Sequence, residues 1–70
     1  MIEFELDGKE FIELNRLMKL MSVVSSGGEA NMFISNGEVE VNGEVETRKR
    51  HKVRAGFVIK FNGETISVKA

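Results

Sequence analysis

The chain has no cysteine, no proline, no tryptophan and no tyrosine. Without cysteine there is no disulfide, no thiolate nucleophile and no thiolate metal site, which agrees with a reducing, intracellular setting. Without proline or a low-complexity stretch nothing marks a linker, so residues 1–70 are expected to form one domain. No apolar run is long enough to span a bilayer. The opening MIEFELDG alternates charged and apolar residues, unlike a signal or transit peptide, and a cytoplasmic location is the expectation. The missing indole and phenol rings remove common stacking partners for unpaired bases. Five phenylalanines remain, and all of them sit in apolar patterns that assign them to a core.

Catalytic signatures are also missing. The chain carries no GxSxG, no GxxxxGK and no GxGxxG. Its one histidine, His51, has no partner at metal-ligand spacing and lies in a basic run that would repel a cation. The carboxylates of EFEL and EVEVNGEVE fall on solvated strand faces. A chain this short buries only about 60% of its unfolded surface, which leaves little room for a water-excluded site. The expectation is a non-enzyme with no cofactor, no metal and no small-molecule substrate.

What is present is a change of hydrophobic period. Ile2, Phe4 and Leu6 alternate with Glu3 and Glu5 as in a half-buried strand, and Asp7-Gly8 marks a turn. Phe11, Leu14, Leu17, Met18 and Met21 follow helical spacing, which predicts a first helix from Phe11, the methionines filling core space. Ser26 and Glu29 have capping-box spacing, which predicts a second helix over residues 27–36. Ala30, Phe33 and Ile34 form its stripe, and Gly37 follows as a C′ residue.

Two hairpins complete the chain. For EVEVNGEVET, a three-residue loop with glycine in the left-handed position places Val39 opposite Val45 and keeps the glutamates together outside. For GFVIKFNGETISV, a two-residue Asn62-Gly63 turn pairs Ile59 with Ile66 and Phe57 with Val68. The expected class is therefore α+β: an N-terminal strand, two short packed helices and a small antiparallel β-sheet.

Charge is distributed unevenly. Residues 1–46 hold three Lys/Arg against ten Asp/Glu, whereas residues 47–70 hold seven against one, in a chain of net charge −1. The excess is concentrated in TRKRHKVR, residues 47–54. Its cations, Arg48, Lys49, Arg50, Lys52 and Arg54, repel one another; a polyanion would relieve that repulsion by its opposite charge, and release of its counterions would add affinity. His51 adds a hydrogen-bonding or weakly stacking group. A solvated loop that balances the acidic half explains the same run without a ligand. At the second helix, Gly27-Gly28 offers backbone N–H groups to a phosphate, although Ser26 can cap that end and Glu29 would repel an anion.

The order of these signals resembles a known family. ELNRLMKLM followed by SSGGEANMFISNGEVEVNGEVETRKRHKVRAGFVIKF is similar to the S-four RNA-binding domain, the αL motif, and to its short stand-alone bacterial YbcJ/YaaA group. Gly37, Val39, Val41, Asn42 and Gly43 match the family's G-x-V-x-V-N-G, and Val53 and Gly56 its later V-x-x-G. The resemblance implies two packed helices before a small bent sheet, and binding of structured RNA through the helical layer and the following loop. Departures occur where many members have Arg-Leu-Asp, an arginine and an aspartate. Here those places hold Glu13-Leu14-Asn15, Ser26-Gly27-Gly28-Glu29 and Phe57.

The expectation is a ribosomal- or transfer-RNA-binding protein, ribosome-associated and monomeric, that does not engage membranes. Residues 48–54 would carry the binding, with Arg16, Lys19, Ser26, Gly27, Gly28, Asn31 and Asn42 as additional contacts. The alternative is a protein-interaction module whose basic loop meets an acidic partner. Neither helix has a basic face suited to a DNA major groove.

Overall fold

The computed structural model describes residues 2–70. In chain order the elements are β1 (Ile2–Glu5), β2 (Ile12–Glu13), α1 (Leu14–Leu20), α2 (Gly27–Ser35), β3 (Val39–Val41), β4 (Glu44–Val45), β5 (Lys52–Val53), β6 (Val58–Phe61) and β7 (Glu64–Lys69). Five strands form a sheet in the order β1-β7-β6-β3-β4, while β2 and β5 form a separate ribbon. The class is α+β, as expected. The N-terminal strand joins β7 in parallel, with Ile2 beside Ile66 and Phe4 beside Val68, which makes the sheet mixed. No tight turn links these two strands, which leaves parallel pairing open to them, and the observed register sets their apolar residues side by side.

The core lies between the two helices and the sheet. Leu14, Leu17, Met18, Ala30 and Ile34 enter it from the helices, and Val39, Ile59, Ile66 and Val68 from the sheet. Asn15 Nδ2 donates to Asn31 Oδ1 at 2.9 Å, joining α1 to α2 beside that core. At the start of α2, Ser26 Oγ accepts from the Glu29 N–H at 3.1 Å. The Glu29 carboxylate accepts from the Ser25 N–H at 2.8 Å, one residue earlier than the usual reciprocal box.

The start of α1 differs from the sequence expectation. Phe11 is not helical, and Ile12 and Glu13 are extended, opposite Val53 and Lys52. Over these three residues helical and alternating spacing are both satisfied. The partner strand decides, because it buries Ile12 and Val53 together. Phe11 thereby leaves the core and is half-buried at the surface.

The first hairpin differs too. Its loop is the two-residue Asn42-Gly43, with φ of 54° and 86°, and it pairs Val41 with Glu44 and Glu40 with Val45. The expected grouping of Val39 with Val45 fails because β4 is an edge strand with both residues exposed, Val45 at 59%. With no buried face on β4, turn chemistry sets the register. The second hairpin has the expected register, Ile59 opposite Ile66 across Asn62-Gly63.

Asn42 and Asn62 occupy equivalent left-handed positions, but among the described residues only the Asn42 side chain is bonded, accepting from the Val58 N–H at 2.9 Å. Asn62→Ala is expected to cost about 1 kcal/mol for the left-handed backbone. Asn42→Ala is expected to cost about 1 kcal/mol more for the lost hydrogen bond. Urea unfolding of both variants checks this, and equal losses would contradict a separate role for the Asn42 side chain.

Candidate nucleic-acid interface

The basic segment is fastened by its backbone. The first amides of a helix have no partner within it, and the N-cap residue of α1, Glu13, supplies no side-chain bond. The loop fills that gap: the Leu14 N–H donates to the His51 carbonyl at 3.0 Å, and the Asn15 N–H to the Lys49 carbonyl at 3.0 Å. Between these points the His51 N–H donates to the Arg48 carbonyl at 3.1 Å, closing a turn at Lys49-Arg50. Val53, fully buried, anchors the far end. The backbone thus faces the helix, while Arg48, Lys49, Arg50, Lys52 and Arg54 are all exposed.

These cations are not equivalent. Glu46, two residues before Arg48, accepts from the Arg48 N–H at 2.9 Å, from Nε at 2.9 Å and from Nη2 at 3.1 Å. The same carboxylate lies 3.4 Å from His51 Nδ1, and the His51 ring lies over Phe57 with centroids 6.2 Å apart. Arg48 is therefore partly neutralised, and His51 is turned inward against Glu46 and Phe57. Among the described residues, Lys49, Arg50, Lys52 and Arg54 form no ion pair within 4.0 Å. Lys52 Nζ instead lies 5.0 Å from the Phe11 ring centre, and Arg54 Cζ 5.7 Å.

The remaining expected contacts fall into separate places. Arg16, Lys19 and Gly27 line one depression together with Glu13 and Asn15. Since Asn15 is also bonded to Lys49, this depression adjoins the basic loop. Asn31 is bonded to Asn15 and Ser26 caps Glu29, so both already have partners in the fold. Gly28 has only Ser26 Oγ near it, 3.9 Å from where a Cβ would lie. Asn42 lines a different concavity with Glu44, Glu46, Arg48 and His51. Sequence reasoning missed Glu46 as a partner and Phe11 as a surface group. The outward placement of Phe11 follows from an alternation in which Ile12 faces the core, a signal that was present but ambiguous.

Glu46 makes this arrangement depend on pH. Its pKa is lowered from 4.5 to about 2, chiefly by the Arg48 side-chain hydrogen bonds. Partial burial opposes that shift, whereas the Arg48 backbone N–H and the charges of His51 and Arg48 add to it. A carboxylate whose folded pKa lies below its unfolded value stabilises the fold above the unfolded pKa. That contribution is lost as pH falls through the folded one. Glu46→Gln is therefore expected to destabilise the protein at pH 7 by about 1 kcal/mol, a magnitude limited by the exposure of Arg48. The difference from wild type should shrink as pH falls from 4.5 towards 2, as measured by urea unfolding at several pH values. A pH-independent difference would contradict the ionic role.

With the geometry in place, comparison with known proteins identifies the chain's relatives. Residues 4–69 match the S4 domain family. YbcJ of Escherichia coli K12 is 41% identical over 70 residues, covering 100% of both chains. RlbA of Bacillus subtilis, named as a probable ribosome maturation protein, is 41% identical over 54 residues, which cover 77% of this chain and 76% of that one. The solution structure of E. coli YbcJ, described as revealing an αL motif involved in RNA binding, superposes with a TM-score of 0.78. That match covers 100% of this chain and 89% of the other. On its sequence and its fold, the chain belongs to the S4 domain family.

Proposed function

We propose that this protein binds structured RNA, ribosomal or transfer RNA, by its phosphate backbone and without catalysis. Lys49, Arg50, Lys52 and Arg54 are the principal contacts, with Arg16, Lys19 and the Gly27 backbone beside them. Arg48 and His51 act mainly through Glu46, shaping the loop. The observation that carries this reading is the pair of hydrogen bonds from Leu14 and Asn15 to the loop carbonyls, which fix a segment whose cations Lys49, Arg50, Lys52 and Arg54 are exposed and form no ion pair among the described residues. A loop already ordered loses less conformational freedom on binding. Lys and Arg that neutralise phosphates add affinity through counterion release.

The acidic side of the molecule supports the same orientation. Glu38, Glu40 and Glu64 are exposed and line a depression formed by β3, β6 and β7. A polyanion is repelled there and drawn to the loop. The similarity to a protein named for ribosome maturation favours RNA within a ribosomal particle as the target. In this reading residues 1–70 act as one domain, monomeric and cytoplasmic.

The test is affinity for ribosomal RNA fragments over a salt series. Changing Lys49, Arg50 and Lys52 together to Ala should reduce the slope of log K against log[salt] by roughly 2 to 3, at about 0.7–0.9 per phosphate contact. Arg48→Ala should change the slope by less than one contact's worth, because Glu46 already holds that side chain. Unchanged affinity and slope in the triple variant, with wild-type circular dichroism, would contradict the proposal.

A further inference from the structure

Phe11 is half-buried, does not pack against the buried core, and stands on the outer side of the β2–β5 ribbon. Ile12 and Val53 face inward from that ribbon, so alternation turns Phe11, Glu13, Lys52 and Arg54 outward together. Continuing the register of Ile12 opposite Val53, Phe11 lies across from Arg54. Both cations approach the ring, at 5.0 and 5.7 Å. Next to the ring opens a cleft of about 190 Å³. Phe4, Leu6, Ile12 and Leu20 supply its apolar lining, and Lys9, Arg16 and Glu13 its polar groups. Leu20 remains 53% exposed at this edge.

We infer that this cleft receives one unpaired base of the bound RNA, stacked at Phe11, while the flanking phosphates lie on Lys9, Arg16, Lys52 and Arg54. The inference rests on the RNA-binding reading above and adds a preference for a site where a nucleotide is unpaired. The lining chemistry favours a base over a phosphate. Its walls are aliphatic and aromatic, and the Glu13 carboxylate would repel an anion while accepting a hydrogen bond from a base amine. Cations on the rim match the charge that a nucleotide carries on either side of its base. An apolar peptide or a second copy of the chain would gain the same lining but would leave Lys9 and Arg16 in the cleft, and Lys52 and Arg54 at the ring, without anionic partners. Stacking of a base on an aromatic ring tolerates any sequence, which suits a shape-reading protein.

The experiment uses a short RNA hairpin with one bulged 2-aminopurine and the same hairpin with that position paired. Wild type should bind the bulged RNA about tenfold more tightly, a stacking-sized preference, and should quench the probe. Phe11→Leu keeps an apolar side chain at a position outside the core. It should abolish the quenching and the preference while leaving paired-RNA affinity unchanged. A variant that keeps both effects would overturn the inference, as would a wild type that binds the two hairpins equally without quenching. Self-association of the wild type that Phe11→Leu removes would assign the cleft to a second copy and likewise overturn it. Failure of the wild type to bind either hairpin at low salt would instead reject the RNA-binding reading itself.

Discussion

Two backbone hydrogen bonds organise the surface of this protein. Helix α1 begins with no side-chain cap, and its first amides are satisfied by carbonyls from a segment more than thirty residues later in the chain. The loop between β4 and β5 is therefore as much the start of the helix as it is a connection. Because its carbonyls are spent on α1, its side chains must point elsewhere, and they happen to be cationic. Val53 in the core and Ile12 opposite it fix the same contact from the other side. Weakening this junction would expose helix amides and release the cations together.

The electrostatic design follows from that junction. A cluster of like charges costs self-repulsion, and the fold relieves it in two ways. Glu46 takes up Arg48 and draws in His51, at the base of the loop. Among the described residues the cations beyond it form no ion pair, while the glutamates of β3 and β7 lie on the sheet. Phe11 adds an aromatic group among the free cations, at a place where the β2–β5 ribbon turns an apolar residue outward. In the proposed reading, phosphate attraction and base contact come from adjacent residues on one small ribbon. The S4-domain frame supplies the scaffold on which these residues stand.

Features set by local chemistry were legible in the sequence. Ser26 and Glu29 announced α2, and Asn62-Gly63 between alternating strands announced the second hairpin in its observed register. The basic run was visible from charge alone. What escaped was decided by contacts distant in sequence. Phe11, Ile12 and Glu13 satisfy a helical and an extended pattern equally, and only pairing with Lys52 and Val53 resolves them. Its apolar side chain assigns Val45 to a buried face, yet an edge strand has no such requirement. By its place in the sequence Glu46 belongs to the acidic half, although its side chain reaches forward two residues into the basic run. The first two misses concern short strands with a neighbour on one side only, where periodicity carries less information, and the third lies in the loop between β4 and β5.

Amide hydrogen exchange at Leu14 and Asn15, in the absence of RNA, tests the central claim most directly. If the basic loop is built onto α1, both amides exchange as slowly as those of the core strands β6 and β7. Exchange at the rate of unpartnered amides at a free helix end would contradict it, since the cations would then have no fixed platform.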